Sequence, residues 1–307
     1  MSKLYKQSLE NKYFFRLRDI FKLKDWDIDD NLVNKVFEKF CHRLSDLNSD
    51  EKRDLVLDLT EKYTWIQIKM YESYFFGAFK DLFQSYEWKN FVSSEFRKGK
   101  LCITSLSLNV NQIKSGEFLL YLVQSVLMRT CSFFDNEQIY LHNSVELINE
   151  KSDEFSGIIY IDDYIGSGAS TLEKFATIEK VKCKKFIVCL AAQQEAIKLI
   201  KSQLNVNVYT NSVQKRGISD NYVGEERNEK LNLMKEISND LKASKCPLGY
   251  NDTEALISLL KTPNNTFPVF WIENKKHKNA PFARKNNIRF EEYKDEEKCG
   301  TVYIKDN

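Results

Sequence analysis

Residues 157–171, which read Gly-Ile-Ile-Tyr-Ile-Asp-Asp-Tyr-Ile-Gly-Ser-Gly-Ala-Ser-Thr, decide the fold that the sequence predicts. The four apolar residues 158–161 run without polar alternation, which is typical of a strand buried on both faces of a parallel sheet. Asp162 and Asp163 follow this strand directly, and a turn of small residues occupies positions 166–169. The stretch therefore predicts a strand, an acidic pair and a glycine turn in immediate succession.

A helix is predicted after the turn, because Ser170 and Thr171 can cap a helix that begins near Leu172. A glycine turn before a helix points free backbone N–H groups and the positive end of the helix dipole at one place, which suits a phosphate. The carboxylates before the turn suit sugar hydroxyls or a hydrated Mg²⁺ ion. Together these groups indicate a ligand that carries a ribose and a phosphate.

The composition is that of a folded protein without a strong overall charge. At 307 residues, the chain is long enough for one large domain or two smaller ones. Its hydrophobic fraction of 42% and aromatic fraction of 13% exclude a disordered chain. The net charge of +2 provides no general attraction to nucleic acid or to a membrane surface. A local basic patch is still compatible with this net charge.

The cysteines and histidines argue against disulfides and zinc. Seven cysteines make an odd number without a Cys-x-x-Cys pair, so we expect reduced thiols in a cytosolic protein. The three histidines are far apart in sequence, which disfavours a zinc site. The N-terminus has no apolar signal segment and no apolar run approaches membrane-spanning length. A cytoplasmic protein without membrane attachment is predicted.

Residues 1–95 predict an N-terminal α-helical module. One helix is predicted after residues 30–31, a second after a capping Ser49, and a third from about Tyr63 to Tyr86. The third helix carries a dense aromatic stripe, which we interpret as core rather than as a surface that stacks nucleic-acid bases. The module is the predicted docking surface for a protein partner.

Residues 96–307 predict an α/β domain. Short apolar runs alternate with helical patterns, which implies a Rossmann-like, doubly wound parallel sheet. The runs that predict strands are 101–106, 139–141, 158–161, 185–192 and 206–209. Ligands of such sheets bind at the carboxyl ends of the strands, where Asp162 and Asp163 are expected. The less regular residues from about 212 to 307 are interpreted as a C-terminal flap.

Two other phosphate-binding motifs do not fit. No Gly-Lys-Ser/Thr follows the strand at the spacing of a P-loop. Residues 166–171 lack the third glycine of a dinucleotide fingerprint, and no acidic residue clearly ends the next predicted strand. A plain strand-to-helix turn with an acidic start remains the alternative, because the helix dipole alone favours it. That alternative does not explain the adjacent acids together with Ser-Gly-x-Ser.

The stretch resembles the signature of the type I phosphoribosyltransferases. That signature is an apolar strand, two acids, two apolar residues, a small residue, Ser/Thr-Gly, any residue and then Ser/Thr. In this chain the places are taken by residues 158–161, Asp162, Asp163, Tyr164, Ile165, Gly166, Ser167, Gly168, Ala169 and Ser170. The resemblance implies the α/β fold of that family, here with an N-terminal α-helical module and an irregular C-terminal flap.

By this resemblance, Asp162 and Asp163 are the catalytic residues and hold the ribose hydroxyls of phosphoribosyl pyrophosphate. They would also hold Mg²⁺ indirectly, through the ligand or through water. The residues that would bind the 5′-phosphate are Gly166, Ser167, Gly168, Ala169, Ser170 and Thr171. Loss of pyrophosphate leaves an oxocarbenium-like ribose, which nearby negative charge stabilises, while Mg²⁺ neutralises the leaving group.

A narrower resemblance concerns the C-terminal part of the chain. Phosphoribosyltransferase-like effectors of bacterial conflict systems, including retron-associated ones, have blocks similar to Gly249-Tyr250, Ala255-Leu256, 262–271 and 281–284. The last block departs from that family, in which a further Trp and a fuller Pro-Leu-Phe-Pro-Arg are expected. The resemblance implies an effector of anti-phage defence and leaves the acceptor base open.

A pyrophosphate-binding segment is predicted at Lys114, Ser115 and Gly116. These residues precede a predicted helix, at the place where related enzymes bind pyrophosphate. An ordinary loop with a capping serine is the alternative.

Four further residues are candidates for base recognition or for the flap. Asn264 and Asn265 follow a proline, so they either shape a turn or line the site. Trp271 either stacks on a base or belongs to the core. Arg284 either binds phosphate or belongs to a solvated basic loop.

The leading hypothesis is a phosphoribosyltransferase-type pentosyltransferase. It would use phosphoribosyl pyrophosphate or a related nucleotide with Mg²⁺ in a bacterial defence system. The alternative is a non-catalytic sensor, in which a phosphoribosyl or nucleotide ligand binds and the N-terminal helices transmit its presence. Nucleic-acid binding by residues 275–285 predicts a steep salt dependence, and the near-neutral net charge disfavours it.

Overall fold

The computed structural model describes residues 9–28, 35–106, 115–130, 138–142, 145–178 and 181–284. The α-helices there are α1 (Asn11–Leu23), α2 (Val36–Ser45), α3 (Asp50–Lys62), α4 (Tyr71–Gln84), α5 (Tyr86–Ser94), α6 (Ser115–Leu122), α7 (Met128–Thr130), α8 (Val145–Glu150), α9 (Ala169–Thr177), α10 (Gln194–Leu204) and α11 (Gly224–Asp240). The strands there are β1 (Thr64–Trp65), β2 (Lys100–Ser105), β3 (Ile139–His142), β4 (Phe155–Ile165), β5 (Lys184–Gln193), β6 (Val208–Gln214) and β7 (Ile257–Ser258). A π-helical turn, Val123–Leu127, joins α6 to α7.

A five-stranded sheet with the order β3-β2-β4-β5-β6 forms the centre of the molecule, and all its neighbouring strands are parallel. The sheet confirms the predicted Rossmann-like architecture. From β2 the chain continues to β3 on one side, whereas from β4 it continues to β5 on the other. The carboxyl ends of β2 and β4 therefore flank a topological switch point, which is where ligands bind in open parallel sheets.

Strand β4 is buried on both faces, as its unbroken apolar run predicts. Ile159 and Ile161 point to one face, where they join a core with α4, α5 and α6. Ile158 and Tyr160 point to the other face, where they join a core with α9 and α10. This alternation follows from the two-residue period of a strand.

The first three helices pack against a part of the chain that is remote in sequence. α1, α2 and α3 share a core with α11 and with apolar residues between positions 248 and 282. The rings of Tyr63 and Phe282 stack within it, with centroids 4.9 Å apart. Arg43 of α2, which is 1% exposed, donates from Nη2 to the Ile272 carbonyl at 2.7 Å. The C-terminal segment is therefore a structural partner of the N-terminal helices.

The fourth helix belongs to the sheet. α4 packs against β5 and β6, and its Phe75 and Phe79 are buried in the core on that face. Interpreting the aromatic stripe as core is confirmed for these residues. Contacts thus cross the boundary expected near residue 95, and a division into modules 1–95 and 96–307 stays a prediction.

The prediction of one helix from Tyr63 to Tyr86 is wrong. The chain instead forms β1, α4 and α5, because residues 64–66 pair with a distant segment. Thr64 N–H donates to the Leu256 carbonyl at 2.8 Å, and β1 runs parallel to β7. Tertiary pairing overrides the local helical pattern here. The predicted cap at Ser49 is confirmed, since its hydroxyl accepts from Lys52 N–H at 3.3 Å.

Across the described ranges, no helix combines the length and the apolar character that crossing a bilayer requires.

Candidate functional site

The acidic pair lies in the last residues of β4, at the carboxyl edge of the sheet. The strand continues through Asp162 and Asp163 to Ile165, so it is longer than the apolar run predicts. Asp162 pairs in register with Cys189 of β5. Its Oδ1 accepts from the Asp163 N–H at 2.8 Å, which fixes the two carboxylates relative to each other.

The structure brings the predicted pyrophosphate segment to this pair. Ser115 is the first residue of α6, and its hydroxyl donates to Asp163 Oδ1 at 2.8 Å. Gly116 is buried in the same turn. Lys114 lies outside the described residues. The Ser115–Asp163 hydrogen bond spans the switch point, because α6 follows β2 whereas Asp163 belongs to β4.

Burial raises the pKa of the Asp163 carboxyl above its usual value of 3.8. The hydrogen bonds from Ser115 and from neighbouring backbone groups favour the ionised form but do not offset the burial. Asp163 is partly buried, and a carboxyl group with a pKa raised in this way is often found at a functional site, because an apolar side chain could occupy the position at lower cost.

Tyr71 of α4 is a further neighbour of the pair, and the sequence indicated it only as core. Its hydroxyl accepts from Leu260 N–H at 3.0 Å, and its ring contacts Phe118 of α6 at a centroid distance of 5.8 Å. Burial raises its pKa, and the negative charge of Asp163 raises it further. No local motif marks Tyr71, because its position depends on α4 folding back onto the sheet.

The glycine turn has the predicted place but differs in its detailed geometry. Gly168 has φ = 79° and is the N-cap of α9, which begins at Ala169. Ser170 and Thr171 therefore lie in the first turn and are not caps, so that prediction is wrong. Left-handed backbone at Gly168 reverses the chain early, and Leu172 N–H already donates to the Gly168 carbonyl at 3.0 Å.

The turn still leaves N–H groups of the first helical residues without helical partners, as an anion site requires. The Ser167 hydroxyl accepts from Ala169 N–H at 3.4 Å, which helps to hold the turn. Ser170 is exposed, whereas Thr171 is buried.

Asn265 contacts the turn directly. A Cβ atom at Gly166 would collide with its carboxamide, so only glycine allows this approach. Asn265 Nδ2 donates to Thr253 Oγ1 at 3.2 Å and to the Tyr250 carbonyl at 3.3 Å. Asn264 and Asn265 shape a turn, in which Thr266 N–H donates to the Pro263 carbonyl at 3.2 Å, and the alternative that they line the site stays a prediction. Asn264 is exposed, and its carbonyl accepts from Tyr250 N–H at 2.9 Å.

Trp271 and Arg284 lie together in the C-terminal segment. The Trp271 indole donates to the Thr266 carbonyl at 2.8 Å, and its own carbonyl accepts from Arg284 N–H at 3.2 Å. Both residues are half-buried, and burial lowers the pKa of Arg284. Their predicted roles toward a base and a phosphate stay predictions.

A cavity of about 530 Å³ lies beside the turn, and Asp162 and Asp163 are not among the residues that line it. Gly166 and Ser167 form part of its wall, together with the ends of β5 and β6 and the start of α10. One rim is residues 251–253, in a segment where Asn251, Asp252 and Glu254 all have positive φ. Such concentrated left-handed backbone at non-glycine residues is found where the surrounding structure imposes it, often at binding sites. No sequence pattern indicates this cavity.

The acidic pair suits an indirectly held Mg²⁺ ion. Among the described residues, no group of three or more His, Cys, Asp or Glu side chains could hold a metal. Two adjacent carboxylates are still present, and Mg²⁺ in proteins typically combines one or two carboxylates with water and substrate phosphates. The donor set therefore fits an ion that arrives with a phosphorylated ligand.

The parallel sheet carries an acidic pair and a glycine turn at its switch point, and Ser115 is hydrogen-bonded to the pair. This arrangement is typical of a phosphoribosyltransferase-like protein. The family model described as PRTase-CE matches residues 42–294, and the chain belongs to that family. No curated protein matches the chain.

Proposed function

We propose that the protein binds phosphoribosyl pyrophosphate, or a related nucleotide, together with Mg²⁺ and transfers its glycosyl group. The observation that carries the proposal is the 2.8 Å hydrogen bond from Ser115 to Asp163 across the switch point. This bond joins the start of α6 to the acidic pair, and the glycine turn follows the pair directly in the chain. A ligand with a diphosphate, a ribose and a 5′-phosphate matches these three groups in order.

In this proposal each part of the crevice has a separate task. The N–H groups at the start of α9 bind the 5′-phosphate, which the helix dipole favours. Asp162 and Asp163 accept hydrogen bonds from the ribose hydroxyls, and their negative charge stabilises an oxocarbenium-like ribose. Bound Mg²⁺ would supply charge neutralisation for the departing pyrophosphate. Ser115 holds the Asp163 carboxylate toward the ribose.

Calorimetric titration of phosphoribosyl pyrophosphate in the presence of Mg²⁺ tests the proposal. We expect Asp162→Asn combined with Asp163→Asn to weaken binding by about ten-fold or more, which is 1.4 kcal/mol. Asp81→Asn combined with Asp153→Asn is the matched control, because both of these aspartates are exposed. An unchanged affinity of the Asp162/Asp163 variant would contradict the proposal.

A non-catalytic sensor is the second candidate, and Tyr71 is the observation that favours it. This residue links α4 to the acidic pair and to Leu260, so ligand at the pair could alter the packing of the helices. Incubation with labelled phosphoribosyl pyrophosphate and pooled nucleobases separates the candidates. Release of pyrophosphate supports transfer, whereas tight binding without release supports sensing.

We propose a bacterial anti-phage defence system, including a retron-associated one, as the setting. The support is the set of C-terminal blocks that resemble such effectors. Asn265, in the block 262–271, contacts the glycine turn. We expect a bacterial host that carries the protein with its neighbouring genes to resist phage, and the Asp162/Asp163 variant to lose that resistance. Equal resistance with both forms would contradict this role.

A further inference from the structure

Strand β6 forms one edge of the central sheet. It pairs with β5 on one side, and no other strand of the described residues pairs with its second side. An edge strand presents backbone N–H and C=O groups that readily pair with another extended chain, and proteins commonly protect such edges with prolines or charged side chains. The seven residues of β6, which read Val-Tyr-Thr-Asn-Ser-Val-Gln, include neither. The edge is therefore open to strand pairing.

An uncovered apolar side chain lies near the carboxyl end of this edge. Tyr209 is buried in the core that α4 shares with the sheet. A Cβ atom at Gly77 of α4 would collide with the Asn211 carboxamide, so Asn211 points to the same face. Because the side chains of a strand alternate, Val213 also lies on this face, and it is 55% exposed. The α4 face of β6 therefore ends in an exposed apolar residue.

A groove lies at the amino end of the same edge, between α10 and the corner that α4 and α5 form. Its volume is about 470 Å³. Tyr209 forms part of its wall and donates from its hydroxyl to Glu87 Oε2 at 3.1 Å. Tyr86 lines the groove and is 82% exposed. Since tyrosines are enriched where proteins bind each other, the groove is suited to receive an apolar side chain of another chain.

Two charges of opposite sign lie at the two ends of the edge. Asp81 of α4 lines the groove at the amino end and is exposed. Lys215 directly follows β6 at the carboxyl end and is also exposed. Neither residue forms an ion pair with any other described residue. Each end of the edge therefore combines an exposed apolar group with an unpaired charge.

An antiparallel pairing of two β6 strands would bring these unlike ends together. With a two-fold axis at Asn211, each residue lies opposite the residue of the other strand that is equally far from the axis. Val213 of the partner subunit then lies opposite Tyr209 at the groove, and Lys215 of the partner subunit lies at the end where Asp81 is. Opposite Cβ atoms in such a pair are about 4.5–5.5 Å apart, so their side chains touch. Each contact occurs twice, because a two-fold interface uses the same patch on both copies.

We propose that β6 is the interface of a two-fold homodimer, in which the β6 strands of two copies pair antiparallel about Asn211 and join the two central sheets. A second copy is the occupant that this edge fits, because one end of the patch forms the groove and the other end supplies the side chains that enter it. Charge complementarity between Asp81 and Lys215 favours the antiparallel direction. The homodimer goes beyond the proposed function and does not depend on its ligand.

Charge reversal at the two ends tests the pairing in the full chain. Sedimentation equilibrium between about 1 and 100 μM should give the mass of a dimer in the upper part of this range. Asp81→Lys should weaken dimerisation by about ten-fold, because two positive charges would then face each other, and Lys215→Asp should weaken it similarly. The two changes together should restore dimerisation to within about two-fold of the original. Asp153→Lys, at an exposed aspartate before β4, is the matched control and should have no effect.

A cross-link at the axis tests the register. Asn211→Cys would place two thiols opposite each other, with Cα atoms about 4.5–5.5 Å apart, a distance that a disulfide can span. With copper phenanthroline as the oxidant, we expect this variant to form a covalent dimer on a non-reducing gel. Ser93→Cys, at an exposed serine of α5, is the matched control and should form none.

Three results would overturn the homodimer at β6. The first is a monomer over the whole concentration range. The second is a dimer that neither Asp81→Lys nor Lys215→Asp weakens, or that the combined variant does not restore. The third is a dimer that Asn211→Cys does not cross-link, because the interface then lies elsewhere on the protein.

Discussion

The carboxyl group of Asp163 lowers the stability of the free protein at neutral pH. Because burial raises its pKa above 3.8, the folded protein binds a proton there more readily than the unfolded chain. The cost is fully present above the folded pKa and disappears as the pH falls below 3.8. The fold therefore keeps a carboxyl group at a position where it costs stability.

We expect Asp163→Asn to raise the Tm of the ligand-free protein at pH 7, because the amide keeps the shape and removes a partly buried charge. The gain should shrink as the pH approaches 3.8. Thermal unfolding at a series of pH values measures both effects, with exposed Asp153→Asn as the control. A lower Tm at pH 7, or a gain that grows on acidification, would contradict the assignment.

The contact between Gly166 and Asn265 gives a second prediction at the scale of single residues. Gly166→Ala would place its Cβ 2.7 Å from Asn265 Nδ2, and the carboxamide is held by Thr253 and Tyr250. We expect a loss of about 1–3 kcal/mol in the free energy of unfolding from overpacking.

Asn265→Ala provides the control for that prediction, because it removes the colliding group. In the double variant, the cost of Gly166→Ala should be largely relieved, and denaturant unfolding of the four forms measures the coupling. Strictly additive losses would show that the collision is not the cause.

Candidate site residues were predictable where they lie within a single local motif. Asp162, Asp163 and the glycine turn follow from a strand that ends in acids and small residues, and the structure brings Ser115 to them. Tyr71 and Asn265 were indicated as a core residue and as a turn or site residue. Their contacts depend on distant segments that no local pattern relates, and the same holds for the lining of the cavity.

At the scale of elements, Glu254 joins two loops beside the cavity. Its carboxylate accepts from Ile218 N–H at 2.9 Å, from Ser219 N–H at 2.7 Å and from the Ser219 hydroxyl. The residue is 3% exposed and has φ = 49°. The carboxylate therefore fixes residues 249–254 relative to residues 217–219.

We expect Glu254→Ala to lower the free energy of unfolding by at least about 2 kcal/mol, because three donors lose a charged acceptor. Glu254→Gln should cause a smaller loss than Glu254→Ala, because the amide oxygen still accepts hydrogen bonds. The loss should not be zero, because the amide also directs its own N–H groups at the donors. Exposed Asp252→Ala is the matched control, with φ = 48° at the substituted position. Urea unfolding measures all three, and equal effects at Glu254 and Asp252 would show that the backbone conformation alone matters.

The elements themselves were predictable to different degrees. Strands of the central sheet follow from unbroken apolar runs, since burial on both faces leaves little room for other patterns. The segment from Tyr63 to Tyr86 has a helical pattern throughout, yet its first residues form β1 because β7 pairs with them. Only a partner far along the chain distinguishes the two outcomes.

At the scale of the whole molecule, the aromatic cluster around Phe40 joins the two ends of the described chain. Phe40 is fully buried and packs edge-on against Phe21, Phe270 and Phe282. We expect Phe40→Ala to cost about 3–5 kcal/mol. Hydrogen exchange should then show loss of protection in residues 268–282 as well as in α2.

Phe15→Ala is the control for Phe40→Ala, because Phe15 of α1 is 43% exposed. Its cost should be below about 1 kcal/mol, as for most surface substitutions. Loss of protection confined to α2 in the Phe40 variant would mean that the C-terminal segment is held independently of the N-terminal helices.

Arg43 and Ile272, whose side chain and carbonyl are hydrogen-bonded, are 229 positions apart, so the ribosome synthesises them at different times. A ribosome that adds about 5–20 residues per second needs roughly 10–50 s to synthesise that interval. During this delay α1, α2 and α3 have already emerged, while the residues that complete their core do not yet exist. A nascent chain of this protein therefore displays an apolar helical face throughout most of its synthesis, and chaperones have that period in which to bind it.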